Sequence, residues 1–325
     1  MNDQQEKKPT VTPIIGRFAP SPTGPLHFGT LLAALGSYLM TRCCGGRWLL
    51  RIEDLDPPRV LSGAADAMIT LLEQLGFEWD GEIVYQSHRY DRYRQILEQL
   101  GEDGQVFACS CTRRDILASA PQVGEEGPIY PGTCRSGARG KRLERAIRLR
   151  VPDENICYRD GIFGPQSQNL QKDVGDFVLH RVDGLFAYQL AVVVDDIDAG
   201  VTQVVRGADL LSSTPRQIYL YRSLNVAPPD YFHLPLAFGD NGKKLSKRNG
   251  SIGLVDVKNG SQMLWQALEF LGQSPAEELF YASPSELLDW GRHNFQIATI
   301  PVKNRQVEFC PFPIGSSSAS FNKMI

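Results

Sequence analysis

Two short segments of the chain carry residues that could bind phosphate groups. His27 follows a proline-glycine turn and precedes an apolar run, so a helix beginning there would direct backbone N–H groups at an anion. Its imidazole can donate to a phosphate oxygen, and Gly29 lets a base or ribose approach the backbone closely. The second segment, Lys244 to Arg248, lies between glycines, and Lys247 can neutralise charge on a leaving phosphate. Alone, the first segment is more typical of a helix cap and the second of a solvated turn, but together they suggest a triphosphate site.

A cysteine pattern offers a different chemistry. Cys109 and Cys111 are followed by Tyr130 and Cys134 in a stretch rich in glycine and proline. Three thiolates are soft ligands that suit tetrahedral zinc, although a phenol is an uncommon fourth ligand. The spacing fits a zinc site and a set of reduced, unliganded cysteines equally well. Because a small insertion lacks a hydrophobic core, zinc here would be structural. A disulfide framework is not expected, since the other four cysteines show no ligand-like spacing: Cys43, Cys44, Cys157 and Cys310.

The scaffold that must position these residues begins with alternating elements. The pattern predicts a strand from Ile14 to Ala19, a helix from Leu26 to Met40, a strand from Trp48 to Ile52 and a helix from Ser62 to Leu75. This order indicates an α/β fold with a Rossmann-type parallel sheet and helices on both faces. Ligands of such sheets bind beyond the carboxyl ends of the strands.

The alternation breaks between Cys109 and about Lys172, which we interpret as an insertion in the nucleotide-binding domain. Further along we predict β-type runs at Leu185 to Val194 and Thr202 to Val205, a proline-containing connector at Pro228 to Phe238, and helices at Met263 to Leu271 and Glu286 to Trp290. The predicted division is a catalytic domain at 11–108 and 173–255, a zinc-containing insertion at 109–172, a small helical module at 256–310 and a disordered tail at 311–325.

Composition bounds the function. The 325 residues are 42% hydrophobic and 22% charged, which is ordinary for a globular protein. No apolar run approaches the roughly 20 residues that span a bilayer. The first ten residues are polar and do not resemble a signal peptide, so we expect a cytoplasmic protein without membrane contact. A net charge of -3 argues against a surface broadly coated with phosphate-binding residues, so any RNA-binding surface must be local.

One local candidate lies between Arg135 and Arg150. Ile147, Leu149 and Val151 alternate with basic residues there, as in a half-buried strand with a solvated face. That interpretation and a phosphate-binding surface remain equally open. The segment has a single acid, Glu144, and seven basic residues: Arg135, Arg139, Lys141, Arg142, Arg145, Arg148 and Arg150.

The phosphate-binding segments also resemble known signatures. Pro20 to Thr30 resembles the HIGH motif and Lys244 to Arg248 resembles KMSKS, in the order found in class I aminoacyl-tRNA synthetases. Arg17 to Ser21 and Arg51 to Asp54 resemble the glutamyl and glutaminyl branch of that class, and the resemblance continues through segments 186–196 and 205–209. It implies that ATP, with Mg²⁺, activates L-glutamate.

The resemblance also implies roles for individual residues. His27 and Lys247 would be catalytic, and ATP would contact His27, Gly29 and Lys247. A guanidinium binds a carboxylate through two hydrogen bonds, which suits Arg17 and Arg206 to a glutamate side chain, and Glu53 could hold the ammonium group. One structural zinc per chain would be bound by Cys109, Cys111, Tyr130 and Cys134. The implied glutamate-binding residues are Arg17, Phe18, Ala19, Pro20, Ser21, Glu53, Tyr188 and Arg206.

The chain is short for this branch, because only about 75 residues follow Arg248 and leave no room for a large anticodon-binding region. Over about residues 14–300 it resembles the truncated paralogues known as glutamyl-queuosine tRNA(Asp) synthetases. That resemblance implies a monomer that forms glutamyl-adenylate without tRNA and transfers glutamate to queuosine in the tRNA(Asp) anticodon. Arg248 departs from the glutamine common there, which bears on loop closure. The alternatives are a minimal glutamyl-tRNA synthetase that charges the 3′ end of tRNA(Glu) and a non-catalytic paralogue.

Overall fold

The computed structural model describes residues 13–119, 123–124, 127–137, 145–238 and 255–306. The strands in this part of the chain are β1 Ile15–Phe18, β2 Arg47–Ile52, β3 Val84–Tyr85, β4 Val106–Cys109, β5 Val123–Gly124, β6 Gly127–Pro128, β7 Ala146–Leu149, β8 Asn155–Asp160, β9 Gly164–Asn169, β10 Val178–His180, β11 Gln203–Gly207, β12 Asp230–Leu234, β13 Ala237–Phe238 and β14 Arg305–Gln306. The helices are α1 Phe28–Arg42, α2 Ala64–Gln74, α3 Tyr90–Glu102, α4 Arg113–Ser119, α5 Leu170–Asp173, α6 Tyr188–Asp198, α7 Thr214–Ser223, α8 Gly260–Phe270 and α9 Pro284–Asn294.

Parallel pairing organises the first and last strands of the nucleotide-binding region. Strands β1, β2 and β3 form one parallel ladder, with Arg17 opposite Leu49, and β11 pairs in parallel with β12. The Thr202 N–H donates to the Ile15 carbonyl at 2.9 Å, which places β11 beside β1. The predicted parallel sheet is therefore confirmed, and the carboxyl ends of β1, β2 and β11 lie at one edge.

Helix α1 confirms the predicted apolar helix and forms the centre of the larger core. Its apolar residues are buried on nearly all sides because the helix lies between the sheet and the carboxyl-terminal helices. The Trp48 indole packs edge-on against Tyr38 and donates to Ser37 Oγ at 3.0 Å. Arg42 in the last turn complements the negative end of the helix dipole. The start of α1, at the sheet edge, is thus held rigidly.

The run from Leu185 to Val194 was predicted as a strand, and that prediction is wrong. Residues Tyr188–Asp198 form helix α6, in which the consecutive valines at 192–194 are all buried in the second hydrophobic cluster. A short apolar run fits a buried strand and a buried helix equally well, and β-branched propensity yields when packing surrounds the element. The predicted run from Thr202 to Val205 does form a strand, β11.

The segment from Pro228 to Phe238 was predicted as a connector, which is also wrong. Residues Asp230–Leu234 form β12, which pairs with β11 in register from Gln203 to Gly207. The two prolines at 228 and 229 precede the first paired residue, a position where a missing backbone donor costs the ladder nothing. Helix α7 begins at Thr214 with proline in its first turn, where the missing backbone donor is not needed.

The middle of the chain is built from small antiparallel units. Strands β4, β7 and β10 form one sheet, and β8 and β9 form a hairpin from Asn155 to Asn169. Among the described residues, the buried cluster around the cysteines has five members: Phe107, Cys109, Ile116, Tyr130 and Cys134. Strands β4 and β10 lie at or beyond the predicted insertion limits, and the domain boundaries remain a prediction.

Helices α8 and α9 confirm the two helices predicted near the carboxyl end. Ser283 and Glu286 form a capping box at the start of α9. Gly291 lies so close to Leu39 that an added Cβ would be 2.9 Å from its Cδ1, so α9 packs tightly on α1. No helix among the described residues is long and apolar enough to cross a bilayer. The Lys244 to Arg248 segment, Cys310 and the predicted tail lie outside the described residues.

Candidate active site

A cavity of about 760 Å³ opens at the carboxyl ends of β1, β2 and β11, and we call it the central cavity. It is bounded by the end of β1, the start of α1, the first residue of α6 and the segment after β11. Lys247 lies outside the described residues. Every other residue implied for glutamate or ATP binding lines this cavity: Arg17, Phe18, Ala19, Pro20, Ser21, His27, Gly29, Glu53, Tyr188 and Arg206.

The guanidinium of Arg206 is buried, and hydrogen bonds hold two of its three nitrogens. Its Nε donates to His233 Nε2 at 3.1 Å. Its Nη2 donates to Thr214 Oγ1 at 2.8 Å and to the Leu210 carbonyl at 3.3 Å. Its other terminal nitrogen, Nη1, is buried and has no hydrogen-bond partner among the residues that the structure describes. A buried unpaired donor costs free energy unless a ligand accepts from it. A carboxylate in the central cavity would satisfy that nitrogen.

A buried pair behind Arg206 sets its orientation. His233 Nδ1 lies 2.6 Å from Asp160 Oδ2, and both side chains are completely buried. A carboxylate only accepts, so Nδ1 carries the hydrogen and Nε2 is free to accept from Arg206. Burial lowers the pKa of His233 despite the hydrogen bond that its Nδ1 donates to Asp160, and this keeps the imidazole neutral at neutral pH. A neutral ring in this tautomer is what Arg206 Nε requires.

Arg17 and Glu53 are joined by a second buried network. Arg17 Nε donates to the Asp196 carboxylate at 3.2 Å, and Arg51 Nη1 donates to the same carboxylate at 2.5 Å. Arg51 Nη2 then donates to Glu53 Oε1 at 3.2 Å. Burial opposes ionisation of Asp196, but the two guanidiniums outweigh it and lower its pKa. One carboxylate on α6 thus positions charged groups at the ends of β1 and β2.

Glu53 and Tyr188 both line the central cavity, and burial changes the pKa of each. Burial raises the pKa of Glu53, and the guanidiniums of Arg51 and Arg17 oppose that shift. Burial and the nearby Glu53 carboxylate raise the pKa of Tyr188, so its phenol stays protonated at neutral pH. Burial disfavours the ionised form of Glu53, and a cationic partner would stabilise that form. The ammonium group of an amino acid would supply one.

His27 caps α1 and lines the cavity at once. Its Nδ1 accepts from the Thr30 N–H at 3.3 Å, and Nε2 lies 3.0 Å from Thr30 Oγ1. The helix-cap explanation considered above therefore holds for the ring. It does not remove His27 from the site, because the cap fixes the imidazole beside the helix N-terminus, where backbone N–H groups attract an anion.

The three cysteines of the predicted metal site lie together. Their Sγ atoms are within 4.8 Å of one another, and Cys111 Sγ lies 3.6 Å from Cys134 Sγ. Sulfurs on one tetrahedral zinc are roughly 3.8 Å apart, as bond lengths of about 2.3 Å require. The Tyr130 hydroxyl lies 3.4 Å from Cys109 Sγ and accepts from the Cys134 N–H at 2.9 Å. The donor set is compatible with zinc.

The basic segment around β7 is only partly available to a ligand. Arg135 forms an ion pair with Asp176 at 2.6 Å, and Arg148 is buried over the Tyr130 ring and donates to the Asp176 carbonyl. Arg150 lies over the Phe107 ring at 4.9 Å. These three arginines hold the cysteine region together, whereas Arg145 is exposed. Arg139, Lys141 and Arg142 lie outside the described residues.

Two positioning groups were missed at the sequence level. Asp196 had been noted only as part of a resembling segment, although an acidic pair inside an apolar run signals a buried ion network. His233 had no signal at all, because its partner Asp160 is 73 positions away in the chain. Only the fold reveals the two groups, because it pairs Asp160 of β8 with His233 of β12 and places Asp196 of α6 beside Arg17.

The fold and site define a class of protein. A family model described as tRNA synthetases class I (E and Q), catalytic domain, matches residues 13–290. The chain belongs to this family, and its mixed α/β fold with a parallel sheet is the class I aminoacyl-tRNA synthetase fold. It is accordingly a ligase of the synthetase type, and the resemblance inferred from the motifs is confirmed.

Within this class, the chain is similar to proteins of two kinds, glutamyl-Q tRNA(Asp) synthetases and glutamate tRNA ligases. The Glutamyl-Q tRNA(Asp) synthetase of Geobacter sulfurreducens is 52% identical over 295 residues, which cover 89% of this chain and 94% of that protein. The protein of the same name from Chromobacterium violaceum is 50% identical over 88% of this chain and 95% of its own length. A glutamate tRNA ligase from Elizabethkingia meningosepticum, solved in complex with its amino acid, matches with a TM-score of 0.73 and 25% identity, covering 92% of this chain and 68% of that one.

Proposed function

We propose that the protein activates L-glutamate with ATP in the absence of tRNA and then transfers it to queuosine in the anticodon of tRNA(Asp). The observation that carries the proposal is the central cavity, which gathers the guanidiniums of Arg17 and Arg206, the Glu53 carboxylate and the N-terminus of α1. The names of the curated relatives support the acceptor, and the glutamate-bound ligase of similar fold supports the amino acid.

Glutamate binding follows from the charges in the cavity. The side-chain carboxylate accepts from Arg206 Nη1, with Arg17 as its second cationic contact. Glu53 holds the ammonium group, while Phe18, Ala19, Pro20 and Ser21 form the wall at the end of β1. With both ends fixed, the α-carboxylate is the group left to react.

Activation then needs charge neutralisation at the phosphates. An α-carboxylate oxygen attacks the α-phosphorus of ATP, the bond to the bridging oxygen breaks, and pyrophosphate leaves. His27, the N-terminus of α1 and Lys247 stabilise the negative charge that develops on the leaving pyrophosphate. Gly29 lets the nucleotide approach the backbone closely. Mg²⁺ accompanies the ATP phosphates. In the second step a queuosine hydroxyl attacks the glutamyl carbon and AMP leaves.

We also propose one structural zinc, bound by Cys109, Cys111, Cys134 and Tyr130. Zinc would cross-link β4 to the 130–134 loop, where the buried cluster is too small to order the chain alone. The predicted division into a catalytic domain, an insertion at 109–172 and a helical module at 256–310 belongs to the same proposal, as do a cytoplasmic location and a monomeric state.

The proposed function is tested by following labelled glutamate in reactions with ATP and purified tRNA. We expect label on tRNA(Asp) that carries queuosine, and none on tRNA(Asp) without it or on tRNA(Glu). ATP–pyrophosphate exchange should require glutamate but no tRNA. Label on tRNA(Glu) alone would instead establish a minimal charging enzyme, and absent exchange would indicate a non-catalytic paralogue.

Lys247 is tested within the same assay. Lys247→Ala should lower the exchange rate about 100-fold or more, because a positioned cation is typically worth that much in the transition state. Lys243→Ala is the neighbouring control and should retain most of the rate. Unchanged exchange in Lys247→Ala would remove this residue from the mechanism.

A further inference from the structure

A second cavity lies next to the central one, and we call it the lateral cavity. Its volume is about 920 Å³, and it lies between the β8–β9 hairpin and the short 3-10 helix Ala208–Ser213. That short helix also borders the central cavity: Leu210 lines the central cavity, Leu211 lines the lateral one, and Asp209 lines both. A single layer of backbone therefore separates the two cavities.

The walls of the lateral cavity are suited to hydrogen bonding. The hairpin contributes Gln166, Ser167 and Gln168, whose side chains offer both donors and acceptors. Within the described part of the chain, Gln168 Oε1 is buried and has no hydrogen-bond partner. Leaving a buried acceptor unpaired is costly, so a ligand with an N–H or O–H group would be stabilised there.

The rest of the lining fixes the shape and charge of the cavity. The Tyr158 hydroxyl donates to the Leu211 carbonyl at 3.3 Å, which ties the hairpin to the separating helix. Lys172 lines the cavity with a side chain that is 67% exposed, and its Nζ is 3.1 Å from a carboxylate oxygen of Asp153, which is also exposed. An exposed ion pair of this kind contributes little, so the ammonium can turn to a phosphate of a bound polynucleotide.

We propose that the lateral cavity binds the acceptor nucleoside, a base turned out of an RNA loop, and presents its hydroxyl to the glutamyl-adenylate in the central cavity. This inference rests on the proposed function and adds the place where the RNA is recognised. Single-stranded loop bases are read by hydrogen bonds to their edges, and cavities of about 300–1,000 Å³ hold ligands of this size.

Chemistry requires the two cavities to be neighbours. The hydroxyl oxygen forms an ester bond to the glutamyl carbon, the mixed-anhydride bond to AMP breaks, and the hydroxyl proton leaves with the AMP phosphate. The acceptor oxygen must therefore come within bonding distance of a carbon held by the central cavity. Asp209 lines both cavities. The hydroxyl of a nucleoside bound in the lateral cavity would therefore reach the central cavity by passing this residue of the Ala208–Ser213 helix.

Two variants test the lateral cavity without altering the central one. Gln168→Leu keeps the size of the side chain and removes its acceptor, whereas Ser167→Trp fills the cavity from an exposed strand position. Thr70→Trp is the matched control, because Thr70 is exposed on α2 and lines neither cavity. Glutamate-dependent ATP–pyrophosphate exchange and glutamate transfer to queuosine-bearing tRNA(Asp) are measured for each.

We expect exchange at the wild-type rate in all three variants. Gln168→Leu should raise the KM for queuosine-bearing tRNA(Asp) about tenfold, the effect of one lost hydrogen bond to a base edge. Ser167→Trp should reduce transfer further, and Thr70→Trp should match the wild type. Wild-type transfer in both cavity variants would overturn the inference and leave the proposed function standing. A wild-type enzyme that labels no queuosine-bearing tRNA(Asp) would overturn the proposed function itself.

Discussion

The central cavity and the cysteine cluster are held in place in different ways. Around the cavity, charged side chains are fixed by one another and by a large apolar core that surrounds α1. Around the cysteines, the buried cluster in the described part of the chain has five members, and three of them are themselves proposed zinc ligands: Cys109, Tyr130 and Cys134. The charged groups of the cavity are therefore held by the protein itself, whereas the proposed zinc would supply much of the order of the cysteine region.

This difference separates two kinds of sensitivity to mutation. Breaking a contact in the central cavity should change substrate binding, because each charged group there has a defined partner. Breaking the cysteine cluster should change metal content and stability, because nothing in it lines the central cavity. The following variants sharpen or break that contrast.

Arg206 should give the largest effect. Arg206→Ala removes the unpaired Nη1 that would bind the substrate carboxylate, and the KM for glutamate in pyrophosphate exchange should rise about 100- to 1,000-fold. Arg206→Lys keeps the charge without the planar fork and should recover only part of the affinity. Arg222→Ala, an exposed arginine on α7, is the control. A KM within twofold of the wild type in Arg206→Ala would show that the carboxylate binds elsewhere.

Asp196 should give the next largest effect through Arg17 and Arg51. Asp196→Asn removes the charge that holds both guanidiniums, so the KM for glutamate should rise about 10- to 100-fold while the KM for ATP changes little. Asp195→Asn is matched in burial but bonds chiefly to Gln86, Tyr93 and Arg89. Equal shifts in glutamate KM for the two variants would contradict a specific positioning role for Asp196.

The cysteine cluster should respond in stability and not in glutamate binding. Cys134→Ala should lose zinc, measured by mass spectrometry of the metal content, and should unfold several degrees below the wild type because ligand bonds stabilise the fold. Its KM for glutamate should stay within about twofold of the wild type. Cys157→Ala, an exposed cysteine outside the cluster, should retain metal and melting temperature. Full zinc content in Cys134→Ala would refute the proposed ligand set.

The smallest expected effect is a pH dependence from Glu53. Burial holds its pKa above the ordinary value of 4.5, and only the ionised carboxylate binds the substrate ammonium. Below that raised pKa, Glu53 must release a proton before glutamate binds, so the affinity for glutamate falls as the pH falls. Well above that pKa, the affinity no longer depends on this group. Calorimetric titration of glutamate from pH 7.5 downward measures this. Affinity that rises toward acidic pH would show that Glu53 binds in its neutral form.

Part of this molecule could be predicted from sequence with little ambiguity. The order β1, α1, β2 and α2 followed from periodicity, and the same elements place Arg17, His27 and Glu53 at one edge. Those residues lie in short segments at strand ends, where local sequence and local structure coincide. The cysteine spacing likewise anticipated a cluster that the fold does assemble.

Other features could not be predicted, because their causes lie far apart in the chain. The valines of α6 favour a strand locally, and only complete burial against neighbouring elements makes them helical. The proline-flanked strand β12 exists because β11 offers it a partner. Pairings of this kind span tens of residues and leave no periodic signal.

By itself, the sequence determined the class of chemistry, since the identities of Arg17, His27, Glu53 and the cysteines fix which charges and ligands are available. Tertiary structure alone decided how those groups act. It set the tautomer of His233 through Asp160, left one nitrogen of Arg206 unpaired, and placed Asp196 between two arginines. The physical reason is that hydrogen-bond direction and desolvation depend on distances between residues that are remote in the chain, and only the folded packing determines those distances.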